Sequence, residues 1–142
     1  MTKEQKKDLL LKDLCGRLPY GVKFLRESWN YEWDQELSVI EVLEDIDKDG
    51  YINNTKVYNV EDIKPYLFPI TSMTEEQKQE LNKLLDKECD IIEDVVNNPA
   101  PSNIGFPVVT HYMVDWCNKN HFDYRGLIPM GLAIDATGLN IY

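Results

Sequence analysis

The sequence predicts an α+β fold: a short antiparallel sheet or small β-barrel-like meander, with one N-terminal and two C-terminal helices packed on it. Three observations predict this. Apolar residues recur at helical spacing near both ends of the chain. Between them lies a β-branched, partly alternating region at residues 20–59. A strap at residues 60–73, carrying Pro65 and Pro69, separates the two kinds of pattern. The 142 residues suit one domain with one core. We therefore expect a single domain 1–142, made of helix 2–15, β region 20–59, strap 60–73 and helical region 74–136.

Thr2 and Gln5 form a capping box for the first helix, whose Leu9, Leu10 and Leu14 make an apolar stripe. Gly16 falls where a C-terminal cap belongs. Leu18-Pro19-Tyr20-Gly21 is turn chemistry, and Val22 to Arg26 reads as a strand. In the next stretch Trp29, Tyr31 and Trp33 alternate with polar residues, either as core or rim packing or as a binding face.

Residues 37–46 are rich in β-branched residues and apolar on both alternating sets, which fits a strand buried on much of both faces, with a helix as the competing reading. Lys48-Asp49-Gly50 is a turn, Tyr51 to Asn53 a return strand, and Lys56 to Tyr58 a further one. In the strap, Pro65 and Pro69 argue against a central strand. Tyr66, Leu67, Phe68 and Ile70 are too apolar for a free linker and should pack between sheet and helices.

Thr74 with Gln77 opens a helix expected to run to about Val96. A loop follows at 97–103, and Pro107 suits the first turn of another helix reaching Lys119. The tail from His121 to Ile134 stays apolar, with a short helical turn expected near Tyr124 to Ile128 and fraying after Thr137.

A formal charge of -10 opposes non-specific nucleic-acid binding and anionic membranes, and suits a basic protein partner. The first residues lack the apolar run of a secretory signal, and no segment has membrane-spanning length. Cys15, Cys89 and Cys117 are odd in number and widely spaced, as expected of reduced thiols in a cytoplasm.

Asp45, Asp47 and Asp49, followed by Gly50, match the first half of a calcium loop of the EF-hand kind. Carboxylates at alternating positions point inward there, and glycine allows the sharp turn. The pattern fails where a bidentate glutamate belongs, because the chain has Lys56. The alternatives are an incomplete cation-binding module and an acidic hairpin tip. His111 and Asp115 are spaced for one helix face, and His121, Asp123 and Arg125 follow, so a zinc or acid–base site is a further reading. Cys117 lies on an apolar stripe, where a buried inert thiol competes with a nucleophile. No pattern calls for a cofactor.

Three stretches carry a resemblance: Leu11 to Val22, Ile63 to Pro69 with Ser72 to Glu76, and Trp116 to Ile128. Together they resemble a family of small proteins from gut Bacteroides genomes and their phages and mobile elements. The resemblance spans nearly the whole chain, in order. It implies a shared surface or a shared structural corner around Asn120, His121, Asp123, Tyr124 and Arg125, and it implies no particular chemistry. The Asp-rich hairpin lies where that family varies.

Sequence reasoning therefore points to a non-catalytic cytoplasmic accessory protein linked to phage or mobile elements, binding a protein partner. The candidate interaction surface is Trp29, Tyr31, Trp33, His121, Asp123, Tyr124 and Arg125. Catalytic and cofactor-binding residues are not expected. The alternatives are a calcium module at Asp45 to Asn53 and an enzyme around His111 and His121.

Overall fold

A computed structural model describes residues 1–30, 35–54, 56–84 and 111–142. Its architecture is α+β. In chain order the elements are α1 (Lys3–Arg17), β1 (Lys23–Asn30), β2 (Gln35–Val42), β3 (Tyr51–Asn53), β4 (Val57–Asn59), β5 (Ile63–Pro69), α2 (Glu75–Leu84), α3 (His111–Lys119), β6 (Phe122–Asp123) and β7 (Ile134–Asp135). The continuation of α2 towards Val96, the loop at 97–103, Pro107 and Cys89 lie outside the described residues.

Within the strap, Ile63–Pro69 is a strand with neighbours on both sides. This corrects the expectation that its prolines bar a central strand, and the pairing shows why they are tolerated. β5 changes neighbours along its length. Ile63, Lys64 and Pro65 pair antiparallel with β1, Tyr66 and Leu67 pair parallel with β7, and Phe68 and Pro69 pair parallel with β6. Neither Pro65 nor Pro69 is therefore asked to serve two ladders, so a missing N–H is accommodated as on an edge strand.

The sheet has the order β2-β1-β5-β6, with β7 also on β5. It is mixed rather than antiparallel throughout. Parallel pairing needs a long crossover, and the chain between β5 and β6 supplies one through α2 and α3. β3 and β4 form a separate ribbon, and the described strands make no closed barrel. The chain leaving β2 is held instead by the Asn54 side chain, which donates to the Val42 carbonyl at 2.7 Å and accepts from Glu44 N–H at 3.0 Å. An amide side chain thus stands in for the next strand and ends the ladder.

Both capping boxes form, with Thr2 and Gln5 exchanging hydrogen bonds, and likewise Thr74 and Gln77. Gly16 is not a cap, because α1 continues to Arg17. A Cβ there would stand 3.0 Å from the Asn118 amide, so the glycine permits close approach of α3. The expected helical turn near Tyr124 is replaced by β6 and non-helical turns. The last residues do not fray free. Tyr142 hydroxyl donates to the Tyr66 carbonyl at 2.8 Å and accepts from Lys23 N–H at 2.9 Å.

Burial follows these contacts. Leu10 and Leu14 of α1 pack with Val22, Phe24, Ile63, Leu67 and Leu127. A second cluster joins Ile70, Met73 and Leu81 to Met113, Trp116, Cys117 and Phe122. The former strap contributes to both, so it ties sheet to helices. We expect Tyr66→Ala to lower stability by about 3–5 kcal/mol, the range for a buried aromatic ring. Denaturant unfolding measures this, and a loss under about 1 kcal/mol would show a surface linker instead.

Candidate functional site

Two regions hold the functional candidates: a buried polar corner where α1 meets β6, and the outer edge of the sheet at β2.

The corner starts on α1. Leu10, Asp13, Leu14 and Arg17 are its buried residues, following helical spacing, so one face of α1 carries an ion pair among leucines. Arg17 Nε donates to Asp13 Oδ2 at 2.7 Å and Nη2 to Asp13 Oδ1 at 3.2 Å. Nη2 also donates to the Phe122 carbonyl at 2.6 Å. The guanidinium lies over the Tyr124 ring, 5.3 Å from its centroid. Burial is the largest single effect and opposes the charge on Arg17, but the attraction and hydrogen bonds of Asp13, with the attraction of Tyr124 and Asp123, together outweigh it and raise the guanidinium's pKa. Arg125 Nε stands 3.3 Å from Asp13 Oδ1, an ion pair without hydrogen-bond alignment.

Asp123 is buried and accepts from the N–H groups of Leu127 and Ile128, each at 2.9 Å. Burial raises its pKa, opposed by those two donors. His121 has φ +63, a left-handed backbone uncommon outside glycine. Its ring stacks on Tyr142 with centroids 3.7 Å apart. Desolvation, reinforced by the nearby cations Arg17 and Lys23, lowers its pKa to about 4, so the ring is neutral near pH 7. The tail hydroxyl of Tyr142 is pushed up to about 12, chiefly by burial.

Three stretches distant in sequence, Leu11 to Val22, Ile63 to Pro69 and Trp116 to Ile128, meet here. Arg17 of the first reaches Phe122 of the third, and Phe68 N–H of the second donates to the His121 carbonyl at 2.8 Å. The Phe68 and Phe122 rings lie 6.1 Å apart. Of the candidate surface residues, Asp123 and Tyr124 are buried, and His121 and Arg125 are half-buried and engaged. Asp123 and Tyr124 thus serve as a structural corner rather than an exposed surface, because the Asp123 carboxylate holds two N–H groups of the turn after β6 and the buried Tyr124 ring faces the Arg17 guanidinium. Trp29 pairs with Glu36 in the sheet. Its side chain, and the whole of Tyr31 and Trp33, lie outside the described residues.

Among the described acid–base candidates, Asp115 is exposed on α3, whereas Asp123 is buried. The His111 side chain lies outside the described residues. Cys117 is buried, and loss of hydration pushes its thiol up to about 12, far from a reactive thiolate.

At the hairpin, Asp47 Oδ1 accepts from Asp49 N–H at 2.9 Å and Tyr51 N–H at 3.0 Å. Those backbone donors, that of Tyr51 foremost, hold the Asp47 carboxyl below its ordinary range. Asn53 donates to both Asp45 and Asp47. Gly50, at φ +84, closes the turn. The Asp47 carboxylate, and in part that of Asp45, is engaged in the turn, and no group of three or more metal-ligating side chains converges among the described residues.

The sheet edge is different. Leu43 N–H donates to the Val22 carbonyl at 2.9 Å. Hydrogen-bonded pairs alternate along an antiparallel ladder, and the register sets Glu41 against Phe24 and Val39 against Arg26 as the next such pairs. Ser38, Ile40 and Val42 therefore turn their backbone groups away from β1. Among the described residues β2 has no second neighbour, and Asn54 occupies only its end. Ile40 is 48% exposed and Val42 43%. They lie opposite Leu25 and Lys23, on the face away from the buried Phe24. This corrects the expected burial of both β2 faces, because the core covers only the Phe24 side.

Scans against family models, curated proteins and solved structures return no match. No helix among the described residues is long and apolar enough to cross a membrane.

Two outcomes follow for the corner. Asp13→Asn leaves Arg17 buried without its counter-charge and should lower stability by about 3–5 kcal/mol in chemical denaturation; a change under about 1 kcal/mol would mean that the pair is dispensable. The unfolded chain takes up the His121 proton near pH 6.5 and the folded one near pH 4. The unfolded state thus binds more protons between these values, and stability falls as pH drops through that window. His121→Asn, whose residue tolerates positive φ, should lose less stability than the wild type between about pH 7 and about pH 4.5. Equal losses would contradict the buried neutral imidazole.

Proposed function

We propose that this is a non-catalytic binding protein that engages a protein partner through the open β2 side of its sheet. One observation carries the reading: a strand with outward-facing backbone groups also exposes Ile40 and Val42. Unprotected apolar edges promote unwanted pairing and are ordinarily blunted. Among the described residues the blunting reaches only the end of β2, through Asn54. The polar-aromatic block near the C-terminus supports the same division of labour, since its side chains are engaged in the fold.

The resemblance of the three blocks supports a role linked to phage or mobile elements in the cytoplasm of a bacterial host. The formal charge of -10 favours a basic protein over nucleic acid or an anionic membrane. No cofactor enters this reading.

Affinity capture from a gut Bacteroides lysate tests it, with the Ile40→Lys/Val42→Lys protein as comparison. The wild type should retain a protein that the double variant, still folded by circular dichroism, holds at least about tenfold more weakly. Absence of an enriched protein, or equal retention by both, would overturn the reading.

A further inference from the structure

Resting on that reading of the β2 face, we infer that the partner binds as an added β-strand on β2, presented by a basic, extended segment with apolar residues at alternate positions. Leu43 N–H bonds to Val22, and the β1–β2 register runs unbroken from that pair. Every second residue of β2 therefore aims its N–H and C=O at the open edge. Ser38 and Ile40 offer both groups there. Val42 offers its N–H, since its carbonyl already accepts from Asn54. Asn54 reproduces with a side-chain amide what a peptide group of an added strand would do, accepting from Glu44 and donating to Val42. The edge is thus competent for the ladder at its one occupied position.

The side chains set the partner's pattern. Ile40 and Val42 form an apolar stripe on one face of the edge. An added strand presents alternate residues to that face, so its apolar residues must recur at every second position. Charge sets the rest. Residues 39–50, with Lys23 across from Val42, hold Glu41, Glu44, Asp45, Asp47 and Asp49 against Lys23 and Lys48. Glu41 is paired with Arg26 at 3.0 Å. Glu44, Asp45 and Asp49 are exposed where β2 gives way to the hairpin. A strand laid on this edge meets a field that favours lysine and arginine and disfavours acidic side chains. The same field opposes a second copy of this acidic chain. Strand addition takes affinity from the main chain and selectivity from alternate side chains.

The probe is a synthetic peptide of about eight residues alternating lysine and valine, a typical strand length. Two relatives accompany it, one N-methylated on alternate residues and one with glutamate in place of lysine. Fluorescence anisotropy measures binding to the full chain, and amide hydrogen exchange locates it. We expect the lysine peptide to bind, the N-methylated form to bind at least about tenfold more weakly, and the glutamate form to show no binding. Binding should weaken as salt rises from about 50 to about 500 mM. The amides of Ser38 and Ile40 should gain protection, whereas Val39 and Glu41, already paired to β1, should change little. Ser38→Pro removes one outward donor at a position where an edge strand accepts proline, and should weaken binding.

Equal affinity for the N-methylated peptide, or new protection elsewhere than β2, would overturn strand addition. Absence of binding by the lysine peptide, or equal binding of the glutamate form, would overturn the basic partner. A dimer in sedimentation that Ser38→Pro abolishes would do the same, giving the edge to a second copy. A captured partner sensitive to Ile40 and Val42, with any of these results, leaves the binding function standing and removes only the strand.

Discussion

Arg17 is a cation with no exposed surface, and its position constrains the fold around it. A buried charge is tolerated only where counter-charge and hydrogen bonds replace water. Asp13, one turn earlier on the same helix, supplies the counter-charge. The Phe122 carbonyl supplies another acceptor and belongs to a strand more than a hundred residues away. The Nη2 bond to that carbonyl therefore fixes β6 against α1. His121 makes this compatible with the sheet. At φ +63 it redirects the backbone, so that its own carbonyl accepts from Phe68 of β5 while the next carbonyl accepts from Arg17. One arginine thereby links the first helix, the central strand and the C-terminal segment. The placement at the end of α1 also suits the helix dipole, which favours a cation at the C-terminus.

This constraint bears on function by subtraction. Histidine, aspartate, tyrosine and arginine in one short run resemble an active or binding site. Packing assigns them other work: Asp123 holds two backbone N–H groups of the following turn, Tyr124 faces Arg17, and His121 is neutral against Tyr142. The sheet edge is built on the opposite principle. Its apolar residues are exposed and its hydrogen-bonding groups point outward, an arrangement that gains by being covered. The rigid corner and the open edge lie on one sheet, joined through β1, so the corner holds the register on which the edge depends.

Much of the fold was legible in the sequence because local chemistry decided it. The capping boxes at Thr2 and Thr74, the Gly21 and Gly50 turns and the partial alternation at the start of β1 needed no distant partner. Pro65 and Pro69 misled, because a proline's cost depends on how many ladders its residue serves, and local sequence does not encode that. Gly16 misled for the same kind of reason: its role is set by Asn118 across the helix pair. The buried ion pair left a readable trace, since Asp13 and Arg17 share the spacing of Leu10 and Leu14 and break an otherwise apolar face. The exposed stripe at Ile40 and Val42 was hidden among residues apolar on both alternating sets, where composition does not reveal which face the core covers.

The central claim is that Arg17 binds α1, β5 and β6 into one cooperative corner. Native-state hydrogen exchange of three amides tests it most directly: Phe68, whose N–H bonds to the His121 carbonyl, and Leu127 and Ile128, whose N–H groups bond to Asp123. The account predicts that all three open only with global unfolding in the wild type. In Arg17→Met they should open locally, at lower free energy than amides of β1. Fast local exchange of these amides in the wild type, or exchange unchanged by loss of the arginine, would contradict it.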